Sequence, residues 1–259
     1  MTPAPRRPGA ALLAALAAVL LCAGCAGGSS AADAAGSAGA AASSAPQGEA
    51  SASPSAESSP STSTPAPPPP PDPAVVADAA AGVLSRDVPQ AGDGHFTVVP
   101  GSTPATGPGE LLTVRVEVEG GLPADPAAFA DFAMGVLADP RGWGQDGWAF
   151  ARTDGPADAV LTLASPDTSA ALCAPLQTMG TLSCRNGDRV VLTWYRWVNG
   201  TEDYGSELTG YRQYVVSHEV GHRLGHGHVE CPGAGQVAPT MMQQTKGVLP
   251  CTPNPWPHP

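Results

Sequence analysis

The 259-residue chain has no isoleucine, a single lysine (Lys246) and only 5% aromatic residues. Large side chains for a core are scarce. With 31 glycines and 30 prolines as well, the folded part must be shorter than the whole, so the composition predicts one domain plus unstructured sequence. Positive charge is also short: 12 Lys and Arg face 23 Asp and Glu, for a formal net charge of -11. No basic stripe forms, which excludes nucleic acid as a partner. No Cys-x-x-Cys pair occurs beyond Cys25, which argues against a cysteine-bound zinc.

What is present begins with an address. Arg6 and Arg7 precede the apolar run Ala10 to Leu21, which is too short to span a bilayer and suits a signal peptide. "LCAGCAGGSS" then resembles a bacterial lipobox with Cys25 as the lipidated residue, although Cys22 stands where that pattern has Leu. Residues 1–25 are therefore expected to be a signal peptide with a lipobox, and membrane attachment is expected only through this anchor. Residues 26–73 contain no Leu, Ile, Val, Met or aromatic residue and end in a proline run. They are expected to be a disordered tether, with an end-to-end distance of roughly 40 Å.

Apolar patterning starts at Ala74 and defines the domain 74–259. Leu112, Val114, Val116 and Val118 alternate with Thr113, Arg115, Glu117 and Glu119, the period of a half-buried strand. "HFTVV", "WAFAR" and "ADAVLTLAS" read as further strands, and "RNGDRVVLTWYRW" leads from an Asn-Gly turn into another. "DPAAFADFAMGVLADP" reads as a helix with Asp125 as N-cap, Pro126 at its first position, and Phe129, Phe132, Val136 and Leu137 on one face. A second helix is expected from about Glu207 to Leu224, capped by Ser206. The resulting order, β-β-α-β-β-β-α, predicts an α+β fold with helices against a mixed sheet.

Four of the six histidines fall in "SHEVGHRLGHGH", Ser217 to His228. On a helix His218 and His222 share a face, which Tyr211 and Val215 direct inward. Gly225 stands where the helix should end, and a turn there can return His228 as a third ligand. Three neutral imidazoles leave the fourth tetrahedral position of one Zn²⁺ open, the composition of a catalytic site. Glu219, about 100° round the helix from His218, flanks that site as a general base. His226 is an alternative to His228 as third ligand. His95 and His258 read as surface residues, and Tyr195, Trp197, Tyr204 and Trp256 are left unassigned between pocket and core.

The extended HExxHxxGxxH pattern resembles the metzincin clan of zinc endopeptidases at every position of the motif. The resemblance implies a mixed twisted sheet, a long zinc-binding helix and a second helix, ending in a Met-turn for which "APTMMQQT" offers Met241, with Met242 as the alternative. It also implies one catalytic zinc held by His218, His222 and His228, with Glu219 activating water against a peptide bond. "SHEVGHRLGHGHVECPG" and "MMQQTKGVLPCTPNPWP" are more narrowly similar to a family of secreted actinobacterial proteins labelled a domain of unknown function.

Cys173, Cys184, Cys231 and Cys251 form an even set in an exported domain, which reads as two disulfides. Of three possible pairings, Cys173 to Cys184 and Cys231 to Cys251 each close a local loop. The expected protein is a secreted or surface-anchored monomeric zinc endopeptidase acting on peptides or proteins. Its alternatives are a non-catalytic zinc-stabilised module of the cell envelope and a zinc hydrolase of cell-wall amides.

Overall fold

The computed structural model describes residues 70–259. The expectations for the signal peptide, for Cys25 and for nearly all of the tether lie outside the described residues. Strand β2 (Glu110–Glu119) is the spine, with Leu112, Val114, Val116 and Val118 all buried. On one edge it pairs in parallel with β4 (Ala159–Ala164), which pairs in parallel with β6 (Arg189–Thr193). Strand β5 (Cys184–Asn186) finishes that side antiparallel to β6, through a tight turn in which Gly187 adopts φ +62°, a value only glycine takes readily. The other edge of β2 is shared end to end. Strand β3 (Trp148–Arg152) runs parallel to its first half, and β1 (Phe96–Val98) runs antiparallel to its last residues. The product is an open, twisted, mixed sheet of six strands with β4 central.

Five helices accompany it: α1 (Pro73–Ala80), α2 (Pro126–Leu137), α3 (Pro166–Cys173), α4 (Trp194–Asn199) and α5 (Leu208–Arg223). Helix α2 starts where its sequence directs, with the Asp125 carboxylate accepting from the amides of Ala127 at 2.9 Å and Ala128 at 3.1 Å. Such a cap is worth about 1 kcal/mol. Helices α2 and α5 cover the apolar face of the sheet, where Phe129, Leu161, Leu163, Leu192, Tyr211 and Val215 join the β2 valines in the main core. Each buried side chain of this kind contributes roughly 1.5–3 kcal/mol. Helix α3 lies on the opposite face, over a smaller core of Ala164, Cys173, Cys184 and Val191.

The α+β class holds, and four expectations within it are corrected. Among the described residues five α-helices form where two were expected. Of the segment read as one long strand, only Arg189–Thr193 is extended; the following "WYRWVN" is α4. Trp194, Trp197 and Val198, spaced i, i+3, i+4, all turn into the core. Ser206 does not cap α5: the N-cap is Glu207 without a side-chain bond, and it is the Ser206 carbonyl that accepts from the Leu208 amide at 2.9 Å. Finally, Glu117 and Glu119 are not on a solvated face. Glu117 lies between Arg115 and Arg189, at 2.7 Å from each. Glu119 accepts from the Ser165 amide at 2.7 Å and the Thr168 hydroxyl at 2.6 Å. Buried carboxylates survive because these donors replace water.

Candidate metal centre

Helix α5 carries His218, Glu219 and His222 on its last turns and stops at Leu224. Gly225 takes φ +95°, the His226 amide bonds back to the Gly221 carbonyl at 3.0 Å, and the Gly225 amide to the His222 carbonyl at 3.2 Å. This pair of bonds is a Schellman turn. The turn does two things for the site. It reverses the chain so that His228 returns to the helix, and it points the His226 carbonyl at His222.

The three imidazoles converge. His222 Nε2 lies 3.2 Å from His218 Nε2 and 3.0 Å from His228 Nε2, and these three residues form a group able to hold one metal ion. The protons are assigned by chemistry. His218 Nδ1 donates to the Thr240 carbonyl at 2.8 Å and His222 Nδ1 to the His226 carbonyl at 2.9 Å. Carbonyl oxygens only accept, so in the neutral rings both Nε2 atoms present lone pairs. Burial pushes His218 down to about 3 and also lowers His222 and His228, so the rings are neutral near pH 7. Two lone pairs facing each other at this distance repel unless a cation lies between them. Nitrogen ligands about 2.0–2.1 Å from a tetrahedral ion sit roughly 3.3 Å apart, close to the observed spacing. The donor set fits a divalent metal.

Glu219 is buried, lines the same cleft, and accepts no hydrogen bond among the described residues. Burial pushes its carboxyl up to about 8. Beneath the helix, Gly221 is a close-packed point: a Cβ there would stand 2.5 Å from Met241 Sδ and 2.6 Å from Trp143. Met241 therefore sits against α5 between the two helical histidines and belongs to the main core, whereas Met242 joins a separate cluster with Ala238, Val248 and Cys251. Trp143 stacks on His226 with ring centroids 4.4 Å apart and donates to the Ser217 carbonyl at 2.9 Å. His226 serves through its carbonyl, and its ring is engaged with Trp143, outside the triad.

A family model described as "Protein of unknown function (DUF3152)" matches residues 84–250. The chain belongs to the DUF3152 family. No curated protein and no solved structure matches it significantly. The span matched in this DUF3152 chain contains the whole sheet, helix α5, the three histidines and Met241.

The histidines open on a cleft of about 510 Å³. Its two walls are segments closed by disulfides, with the pairing the loop argument anticipated. Cys173–Cys184 brackets the segment that supplies Leu176, Thr178 and Leu182. Cys231–Cys251 brackets the segment that supplies the Thr240 carbonyl, Gln243 and Lys246. Two disulfides place the DUF3152 domain in an oxidising compartment. Among the described residues no helix is long and apolar enough to cross a membrane.

Several residues of the site escape sequence reasoning. Tyr214 lies one turn before His218, its hydroxyl 3.3 Å from His218 Nδ1, donating to the Met242 carbonyl and accepting from the Gln244 amide, both at 2.9 Å. The i−4 spacing to His218 was the signal for it. Trp143, Arg185 and Lys246 carry no local signal, because only tertiary packing brings them here. Of the unassigned aromatics, Trp197, Tyr204 and Trp256 are core residues and Tyr195 lies outside the cleft lining. His95 is exposed beside Asp93, and His258 pairs with Asp146 at 3.0 Å.

Proposed function

We propose that this DUF3152 protein is a secreted, surface-tethered zinc endopeptidase of the metzincin type. The observation that carries the reading is the convergence of three imidazole Nε2 atoms beside a buried carboxylate without hydrogen-bond partners, in an open cleft. A structural zinc would be closed by a fourth protein ligand; here three are brought together among the described residues. The helix, its Schellman turn and Met241 packed beneath Gly221 further support the metzincin comparison.

Zinc held at His218, His222 and His228 would supply Lewis acidity toward water and a peptide carbonyl. The remaining work belongs to the chain. Glu219 removes a proton from the attacking water and delivers it to the departing amine. Its burial, with no donor to stabilise the anion, keeps the carboxylate basic enough for that exchange. The carbonyls of Thr240 and His226 hold two ligand rings in the tautomer that exposes Nε2.

The test is metal analysis and turnover of the purified chain and of Glu219→Gln on protein and cell-wall substrates, with and without chelator. Chelator-sensitive proteolysis that falls by about 10² or more in Glu219→Gln, with zinc still bound, is the expected result. Cleavage confined to cell-wall amides would reassign the substrate. Zinc binding without turnover on any substrate would make the domain a binding module.

A further inference from the structure

The cationic side chains of the domain are almost all committed. Among the described residues, seven arginines pair with carboxylates, and Arg196 donates to the carbonyls of Thr181 and Gly200 at 2.9 Å. Two remain: Arg185, which makes no side-chain hydrogen bond or ion pair, and Lys246, whose only partner is the neutral Gln243 amide oxygen at 3.3 Å. Both are exposed, and both line the histidine cleft. They come from two different segments of its lining, Arg185 from the antiparallel edge strand β5 and Lys246 from the segment after Met241. Among the described residues Glu219 is the only carboxylate lining that cleft. Lys246 also lines a small recess that reaches Glu219 and His218, so its charge is close to the reacting centre. Glu230 shares an adjoining hollow with Lys246 without pairing with it.

A chain of net charge -11 has carboxylates to spare, yet leaves its only lysine and one arginine unpaired in one cleft. The geometry points to a cleft that selects polypeptides carrying carboxylates, with Arg185 and Lys246 as the specificity-determining residues. This inference rests on the peptidase reading for its substrate class, but the recognition it describes is separable from turnover. Asp and Glu side chains and a free chain end supply carboxylates of the same chemistry. An exposed ion pair contributes up to about fivefold in affinity, so two together give about tenfold or more at low salt, less as salt screens them.

The experiment measures fluorescence anisotropy of labelled decapeptides against the chelator-treated full chain, which cannot cleave them. One peptide carries alternating Glu residues with an amidated end, the second has Gln in their place, and the third is the Gln peptide with a free carboxylate. General repulsion by the acidic protein works against the Glu peptide, so tighter binding must come from the cleft. The expected result is about tenfold tighter binding of the Glu peptide, lost in the Arg185→Gln/Lys246→Gln double variant, whose melting temperature stays at the parental value. A preference for the third peptide alone would keep the two cations as the selector and assign the carboxylate to the chain end. Equal affinities, no saturable binding, or a preference that survives in the double variant would each overturn the inference. The two readings fail separately: acidic preference without cleavage by the zinc-loaded parent removes the peptidase, while cleavage with equal binding of all three peptides removes only the selectivity.

Discussion

Gly221, inside the histidine motif, offers a test in which two physical effects oppose each other. Replacing a helix-interior glycine by alanine normally stabilises by about 0.5–1 kcal/mol, because the unfolded chain loses freedom. At Gly221 the new methyl would stand 2.5 Å from Met241 Sδ and 2.6 Å from Trp143. Methionine can flex away, but the indole is held from two sides, by its stack on His226 and its bond to the Ser217 carbonyl. Overpacking costs about 1–3 kcal/mol, and disturbing the indole's bond about 1 more. The expected net loss is therefore about 1–3 kcal/mol, a fall of roughly 3–9 °C in melting temperature for a domain of this size. Since Trp143 packs on His226, whose carbonyl orients His222, zinc affinity should also fall by about tenfold. The control is Gly135→Ala on the exposed side of α2, where a Cβ meets nothing within 4 Å and stability should rise by about 0.5–1 kcal/mol. Calorimetry of both variants, with a chelator competition for zinc, reads all of this. If Gly221→Ala melts above the parent as Gly135→Ala does, the packing argument for the floor of the site is wrong.

Metal analysis of single variants should show that His228→Ala loses most of the zinc while His226→Ala keeps it, because the His226 ring stacks on Trp143 and its backbone carbonyl survives the substitution; equal losses would reject the ligand assignment. The Cys231→Ser/Cys251→Ser variant should lose about 3 kcal/mol of stability by loop closure and bind zinc more weakly, since that loop holds the Thr240 carbonyl against His218; unchanged zinc affinity would remove the bracing role. For pH, burial raises the Asp78 carboxyl but hydrogen bonds from Arg86 and Arg212 outweigh it and hold it below its ordinary value. That contribution is complete above the unfolded value of about 3.9 and is lost as pH falls through the lower folded one. Asp78→Asn should therefore be less stable by about 3 kcal/mol at pH 7, with the buried Arg212 left unpaired. It should also lose less on further acidification; parallel acid-unfolding curves for parent and variant would contradict the linkage.

What was legible in the sequence was whatever a few neighbouring residues decide together. Helix α2 was readable because Asp125, Pro126 and the spacing of Phe129, Val136 and Leu137 act within four turns. The grouping of His218 with His222 followed from helical geometry, and the return of His228 from a glycine that takes positive φ. Short elements were not legible: α4 reads as strand from its aromatic residues, and only burial of Trp194 and Trp197 against the core makes it a helix. The burial of Glu117 and Glu119 depended on donors from β6 and from the segment entering α3, dozens of residues away. The same holds for the site's surroundings. Trp143 under the metal helix, the Thr240 carbonyl on His218, and the placing of Arg185 and Lys246 in the lining of one cleft are long-range juxtapositions. The sequence by itself determined the ligand spacing, because hydrogen bonds between near neighbours impose it; the tertiary structure alone decided which distant groups orient those ligands, because that depends on how sheet, helices and disulfide-closed segments pack together.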